Sequence, residues 1–311
     1  MSRSKSAPIA ALLVFTLGVP TAIASDEEGP VVEGALGGPE VILLEAGAQP
    51  RHQLRYDLVE GRTESFAMTS GGGGRLTDQG TTSPWVETPP MRFTGTSTVT
   101  AANDDGTFDI ESVFNEVSMS GDAVDQAAAE QFRTQYEGLS MRYRIDAHGR
   151  LLESETAAAP GALAAGFQPG EIDSMSVQMV QPLPSEPVGV GAVWEVHSEA
   201  IDPNLGYTMA TTTTTTLDAF RPDGTFELTG QGQISSPDQG RAIMSVPDLV
   251  TITLDELSGE VSYQRIIDPT KVVMRVEGTG TVVIATTVDM GDGAQSSKME
   301  MRMDMNQEPL P

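Results

Sequence analysis

The sequence predicts a mainly β (α+β) protein: antiparallel, strongly curved sheets with one or two helices, arranged in two related halves. Three observations predict it. Apolar residues alternate at period two through most of the chain, as in Leu54-Arg55-Tyr56-Asp57-Leu58 and Phe108-Asp109-Ile110-Glu111. Helical spacing is confined to two short stretches. The tetrapeptide Asp-Gly-Thr-Phe occurs twice, at 105–108 and 223–226, each time after a Thr-rich strand and before an acidic then an aliphatic residue.

Residues 25–50 are rich in Gly, Glu and Pro and read as a flexible lead-in, with room for one short strand at Val41-Ile42-Leu43-Leu44. Alternation starts near Gln53, with a first strand through Leu54-Arg55-Tyr56, and resumes at Ser65-Phe66-Ala67-Met68. Residues 70–90 are Gly, Thr, Ser and Pro, which predicts a long loop; Ser70-Gly71-Gly72-Gly73-Gly74-Arg75 lacks the Lys-Ser/Thr of a nucleotide loop and reads as flexible. A hairpin follows, Met91–Ala101 returning as Thr107–Met119, because Gly106 accepts the positive φ of the turn. Ala123, Val124, Ala127, Ala128, Phe132 and Tyr136 fall on helical spacing, so a helix is expected within 122–138. Strands Leu139–Ile145 and Arg150–Glu155 complete the first module, 51–156. A small-residue connector, 157–187, carries a second helix near Glu171–Val180.

The second module, 188–307, repeats the order: Ala192–Ala200, Tyr207–Phe220, the turn at Asp223-Gly224, then Thr225–Ile234. Val261-Ser262-Tyr263-Gln264-Arg265-Ile266 corresponds to Met141-Arg142-Tyr143-Arg144-Ile145-Asp146, and strands at 271–277, 279–289 and 298–306 extend this copy. Internal duplication of β-rich modules is the reading; recurrence of common hairpin chemistry is the alternative.

Composition narrows the function classes. Arg3 and Lys5, the apolar run Ile9–Leu17, Pro20 and Ala22-Ile23-Ala24 form an export signal at 1–24, with cleavage expected after Ala24. The protein is then periplasmic or secreted. With no cysteine, disulfides, thiol nucleophiles, thiolate metal sites and a lipoprotein anchor are excluded. The 44 acidic against 18 basic residues give a net charge of −26, which repels nucleic acid and anionic membrane. No second apolar stretch is long enough for a helical membrane span.

Candidate site residues are few. Met299, Met301, Met303 and Met305 alternate with Glu300, Arg302 and Asp304, so a strand puts all four thioethers on one face. That face is either buried core, the lining of a deformable apolar site for a small molecule or lipid, or a soft-metal site; no histidine lies near it, which disfavours metal. His52, His148 and His197 show no zinc-ligand spacing. Asp289-Met290-Gly291-Asp292-Gly293 reads as a hairpin turn rather than a calcium loop, and Thr211–Thr216 as an exposed strand. No nucleophile elbow or His-Glu-x-x-His motif occurs, and no catalytic residue, metal or cofactor is assigned.

The block Pro184-Ser185-Glu186-Pro187-Val188-Gly189-Val190-Gly191-Ala192-Val193-Trp194, together with Leu54-Arg55-Tyr56, resembles a family of uncharacterised exported bacterial β-rich proteins. The resemblance covers Gln53 to about Val196 through short motifs. It implies export and β architecture and carries no activity. The expectation is therefore a non-catalytic exported binding protein, a carrier or sensor of an apolar or lipid-like ligand. A structural or protein-interaction module of the cell envelope is the alternative, and a hydrolase the second.

Overall fold

A computed structural model describes residues 38–121, 124–157, 180–201, 206–246, 250–291 and 293–311. The segments in which an export signal, most of a flexible lead-in and a second helix are expected lie outside these residues. The elements are β1 (Glu40–Glu45), β2 (Thr63–Asp78), β3 (Thr81–Thr82), β4 (Val86–Ala102), β5 (Phe108–Met119), α1 (Gln126–Tyr136), β6 (Ser140–Ile145) and β7 (Leu151–Ala157). They continue with β8 (Val193–Ile201), β9 (Thr208–Phe220), β10 (Phe226–Ser235), β11 (Arg241–Val246), β12 (Val250–Ile267), β13 (Arg275–Asp289) and β14 (Ala294–Pro309).

All strands belong to one antiparallel sheet in the order β1-β8-β9-β10-β12-β13-β14-β2-β4-β5-β6-β7, with β11 on β12 and β3 on β2. The sheet is strongly curved and does not close. Its two edge strands approach at one end, where Gly38 lies so near the Leu151 carbonyl that a Cβ would stand 2.5 Å from the oxygen. The two halves of the chain meet at β14 and β2, which pair without a register shift from Ser297↔Asp78 to Pro309↔Phe66.

Facing residues across an antiparallel pair share a side of the sheet. The concave side at one end carries the main core: Phe66, Met68, Phe93, Phe114, Met141, Tyr143, Trp194, Leu228 and Val276 are all buried. Helix α1 packs on this side. Asp125 caps it, its Oδ1 accepting the Ala127 N–H at 3.1 Å, and Phe132 and Tyr136 set their rings against Phe93 at 5.6 and 5.9 Å. The helix is shorter than the predicted window because the capping aspartate starts it. Residues after Tyr136 turn at Gly138 (φ 81°), whose N–H bonds the Phe114 carbonyl.

Two extended segments, 46–62 and 180–192, plug this end. Leu54, Tyr56 and Leu58 alternate with exposed residues and are buried, yet form no strand. Their backbone bonds go to turns, Tyr56 N–H to Ala147 and Asp57 N–H to Pro269, so the alternation reports a plug rather than a ladder. The expected first strand at 54–56 is corrected accordingly. The Pro184–Trp194 block forms the second plug segment, joined to the first by the His52↔Val188 bridge.

The glycine run is the largest departure from expectation. Residues 70–78 are not a loop; they continue β2 between β14 and β4. A register shift between Ser70 and Gly72 bends the strand, with Gly72 at φ 148°. Glycine breaks strands by entropy and by offering nothing to pack, but here neighbouring backbone fills the missing side-chain space. A Cβ on Gly72 would lie 2.0 Å from the Arg302 carbonyl oxygen, and one on Gly73 2.6 Å from Trp85 Nε1. The threonine run at 211–216 is a strand, as expected, within β9, but it is not exposed throughout: Thr214 is exposed, while Thr213 and Thr215 are buried on the core side. The strand expected at 271–277 begins only at Arg275; Val272, Val273 and Met274 are buried in the preceding turn.

Burial of phenols in the core makes a pH prediction. The Tyr56 hydroxyl is enclosed and bonds the Gln181 backbone at 3.2 and 3.3 Å; burial pushes its pKa up to about 12. Burial raises Tyr143 in the same direction. The unfolded chain ionises these phenols first, so their stabilisation is complete below pH ~10 and falls as pH rises toward 12. Stability is expected to drop by about 2–3 kcal/mol across that window from Tyr56 alone. Denaturant melts of Tyr56→Phe should show a shallower alkaline slope; an unchanged slope refutes the assignment.

Candidate functional site

Beyond the plugged end the concave face opens. Strands β12, β13, β14 and β2 carry it, and their register builds it row by row. Tyr263, Gly278, Met305 and Ser70 face one another; then Val261, Gly280, Met303 and Gly72; then Gly259, Val282, Met301 and Gly74; then Leu257, Ile284, Met299 and Leu76. The four methionines therefore do share one face, as their spacing predicts. None is fully buried. Met305 packs on the main core, while Met301 and Met303 pack on a second cluster of Tyr207, Ile234, Leu254, Leu257 and Val282.

The methionines and the glycines opposite three of them line one strip of this face, the trough. Gly278 is partly exposed, whereas Gly72, Gly74 and Gly280 are buried beneath neighbouring backbone and side chains. A Cβ on Gly278 meets only the Ser262 carbonyl oxygen at 3.3 Å and Tyr263 Cβ at 3.5 Å, and one on Gly280 meets Val261 and Met303 side chains. At the rim Leu76 is 44% and Val86 51% exposed, although both lie on the concave, apolar side. One shallow depression lies at the rim, lined by Leu76, Gln79 and Ser83; a second, lined by Trp85, Val283, Glu300 and Arg302, lies on the opposite face of the sheet.

The trough ends on a polar network against the plug. Tyr263 lies flat over Gly230, where a Cβ would stand 2.2 Å from the ring carbon Cζ. Its hydroxyl is 2.8 Å from Thr215 Oγ1 and 3.3 Å from Gln181 Oε1. Arg265, one inward position deeper on β12, donates from Nη1 to the same Gln181 Oε1 at 2.7 Å, and its guanidinium sits 4.3 Å from the centre of the Tyr263 ring. Gln181 is held in turn by Pro182, whose carbonyl accepts Gln181 Nε2 at 3.0 Å and Trp194 Nε1 at 3.3 Å.

The histidines are scattered, as expected. His52 is edge-on to Phe220, His148 lies in the Asp146–Gly149 turn with Nε2 buried, and His197 on β8 contacts Glu195 at 3.0 Å. Among the described residues no group of three His, Asp or Glu side chains is placed to hold a metal. Residues 289 and 294 pair across a β13–β14 hairpin, the turn expected there.

Sequence reasoning missed the glycines facing the methionines and the Arg265–Tyr263–Gln181 network. One signal was present: Val261, Tyr263, Arg265 and Ile267 occupy one face at period two, which places an arginine on the apolar side of a strand. Gln181 joins it only through the plug. The geometry defines an apolar sheet face of partly buried methionines that ends on one polar network. No family model matches the chain, and no curated protein is significantly similar to it.

Proposed function

We propose that the protein is an exported, non-catalytic carrier or sensor that holds the apolar part of a lipid-like small molecule in the methionine-lined trough. The observation that carries this reading is the set of four partly buried methionines on one side of the sheet, three of them facing glycines on neighbouring strands. Unbranched, polarisable thioethers adapt to ligands of varied shape and can move aside to admit one, and Gly278 places no side chain in the way. Between Met299 and Gln307 the strand rises ~27 Å, the length of a long acyl chain. The two Asp-Gly-Thr-Phe turns support duplication of a module: Thr107 and Thr225 each bond the turn aspartate at 2.7 Å from Oγ1. A second reading, a protein-interaction module, is favoured by the exposed Leu76 and Val86 at the rim and the exposed Trp85 on the opposite face.

Titration with the uncharged fluorophore N-phenyl-1-naphthylamine tests the first reading. Saturable binding is expected for the native chain. Gly278→Leu, whose Cβ stands 3.3 Å from the Ser262 carbonyl oxygen and needs that backbone to shift by a few tenths of an ångström, is expected to weaken it at least ~10-fold while leaving the melting temperature within a few degrees. Absence of binding to the native chain, or equal binding to the variant, overturns the trough as the site and favours the interaction module.

A further inference from the structure

We propose that the trough selects ligands carrying a carboxylate, with Arg265 as its anchor and the methionine face holding the tail. This rests on the trough reading and names the ligand class. Arg265 is only 8% exposed and faces inward, opposite Leu228 and Val276, both buried. Its one protein hydrogen bond among the described residues is to Gln181, a neutral acceptor. Its buried Nε has no partner. None of the ion pairs among the described residues includes it, although the two polar side chains it touches are satisfied: Gln181 by Pro182 and Tyr56, Tyr263 by Thr215 and Gln181.

A buried guanidinium without a counter-ion is costly, and proteins pair such groups. This chain has 44 acidic residues, yet brings none of those described to Arg265. A ligand anion meets the need. With Nη1 engaged by Gln181, the Nε edge remains, and that planar edge matches the two oxygens of a carboxylate. The apolar rows from Met305 to Met299 then run outward from the anchor, so head and tail of a single-chain amphiphile are accommodated in one direction. Tyr263 covers a face of the guanidinium, 4.3 Å from its ring centre, and stands between Arg265 and the trough, so its ring must swing aside to open the path by which a carboxylate reaches the in-plane Nε edge. The long-range repulsion of a −26 chain acts on the approach of such a ligand and is screened by salt, whereas the buried contact is not.

Calorimetric titration with palmitate and with hexadecanol, each below its aggregation concentration, tests this on the full chain. Palmitate is expected to bind about 10–100-fold tighter than hexadecanol. Arg265→Met should remove that preference and leave hexadecanol unchanged; Arg265→Lys, which keeps the charge but not the planar edge, should retain part of it. Equal affinities in the native chain overturn the carboxylate anchor and leave the trough standing. Binding of neither overturns both. Should Arg265→Met not fold, the palmitate-to-hexadecanol ratio of the native chain decides by itself.

Discussion

Replacing Trp194 with alanine is expected to destabilise the fold by about 3–5 kcal/mol. Trp194 is wholly buried, and it locks the sheet to its plug. Its ring fills the core opposite Thr215 on β9 and Leu43 on β1, and its Nε1 bonds the Pro182 carbonyl at 3.3 Å. Truncation leaves a cavity where the strand, the plug and the edge strand meet, and a chain packed on three sides cannot collapse into it. Trp194→Phe keeps most of the apolar area and loses the hydrogen bond, so a cost of about 1–2 kcal/mol is expected. Urea melts of the three proteins measure both. A loss below about 1 kcal/mol for the alanine variant would show that the plug is not anchored through this residue. Because Pro182 also holds Gln181, the alanine variant should in addition weaken whatever the Arg265 end of the trough binds.

The second large effect is expected at Gly72. Valine there must adopt a φ of 148° and place its Cβ where the Arg302 carbonyl oxygen stands, 2.0 Å away. Backbone strain alone costs of order 1–3 kcal/mol, and the clash forces β2 and β14 apart, so a loss of at least about 3 kcal/mol is expected. The β2–β14 pairing joins the two halves of the chain, and amide exchange should accelerate first along Met301–Met305. Gly80→Ala is the control. Gly80 also has positive φ (79°) but faces open space, so only the conformational cost of about 1–2 kcal/mol remains. Equal losses at the two positions would mean that the close approach at Gly72 contributes nothing.

These positions show which parts of the protein were legible in the chain. The hairpin β4–β5 was, because its turn is written locally: Asp105 accepts the Thr107 N–H and Oγ–H, and Gly106 takes the positive φ. Helix α1 was legible for the same reason, through spacing and the capping Asp125. The shared face of Met299, Met301, Met303 and Met305 follows from period two and needs no partner to be read. By contrast, the glycine run at 71–74 has no local signal for strand. Its pairing is with β14, more than 220 residues later in sequence, as in Gly72↔Met303. Leu54-Arg55-Tyr56 has every local signal for strand and forms none, because its hydrogen-bonding partners are turns brought in by the tertiary fold.

By itself, then, the sequence determined the fold class, the hairpins, the helix and the side of the strand on which each methionine lies, because propensity, turn chemistry and side-chain period are properties of neighbouring residues. Tertiary structure alone decided that β14 pairs β2, that three of the methionines face glycines on neighbouring strands, and that Arg265 is enclosed with Gln181 and Tyr263. Each of those depends on contacts between segments far apart in the chain. The free energy of those contacts is settled by long-range burial and close backbone approach, which local composition does not encode.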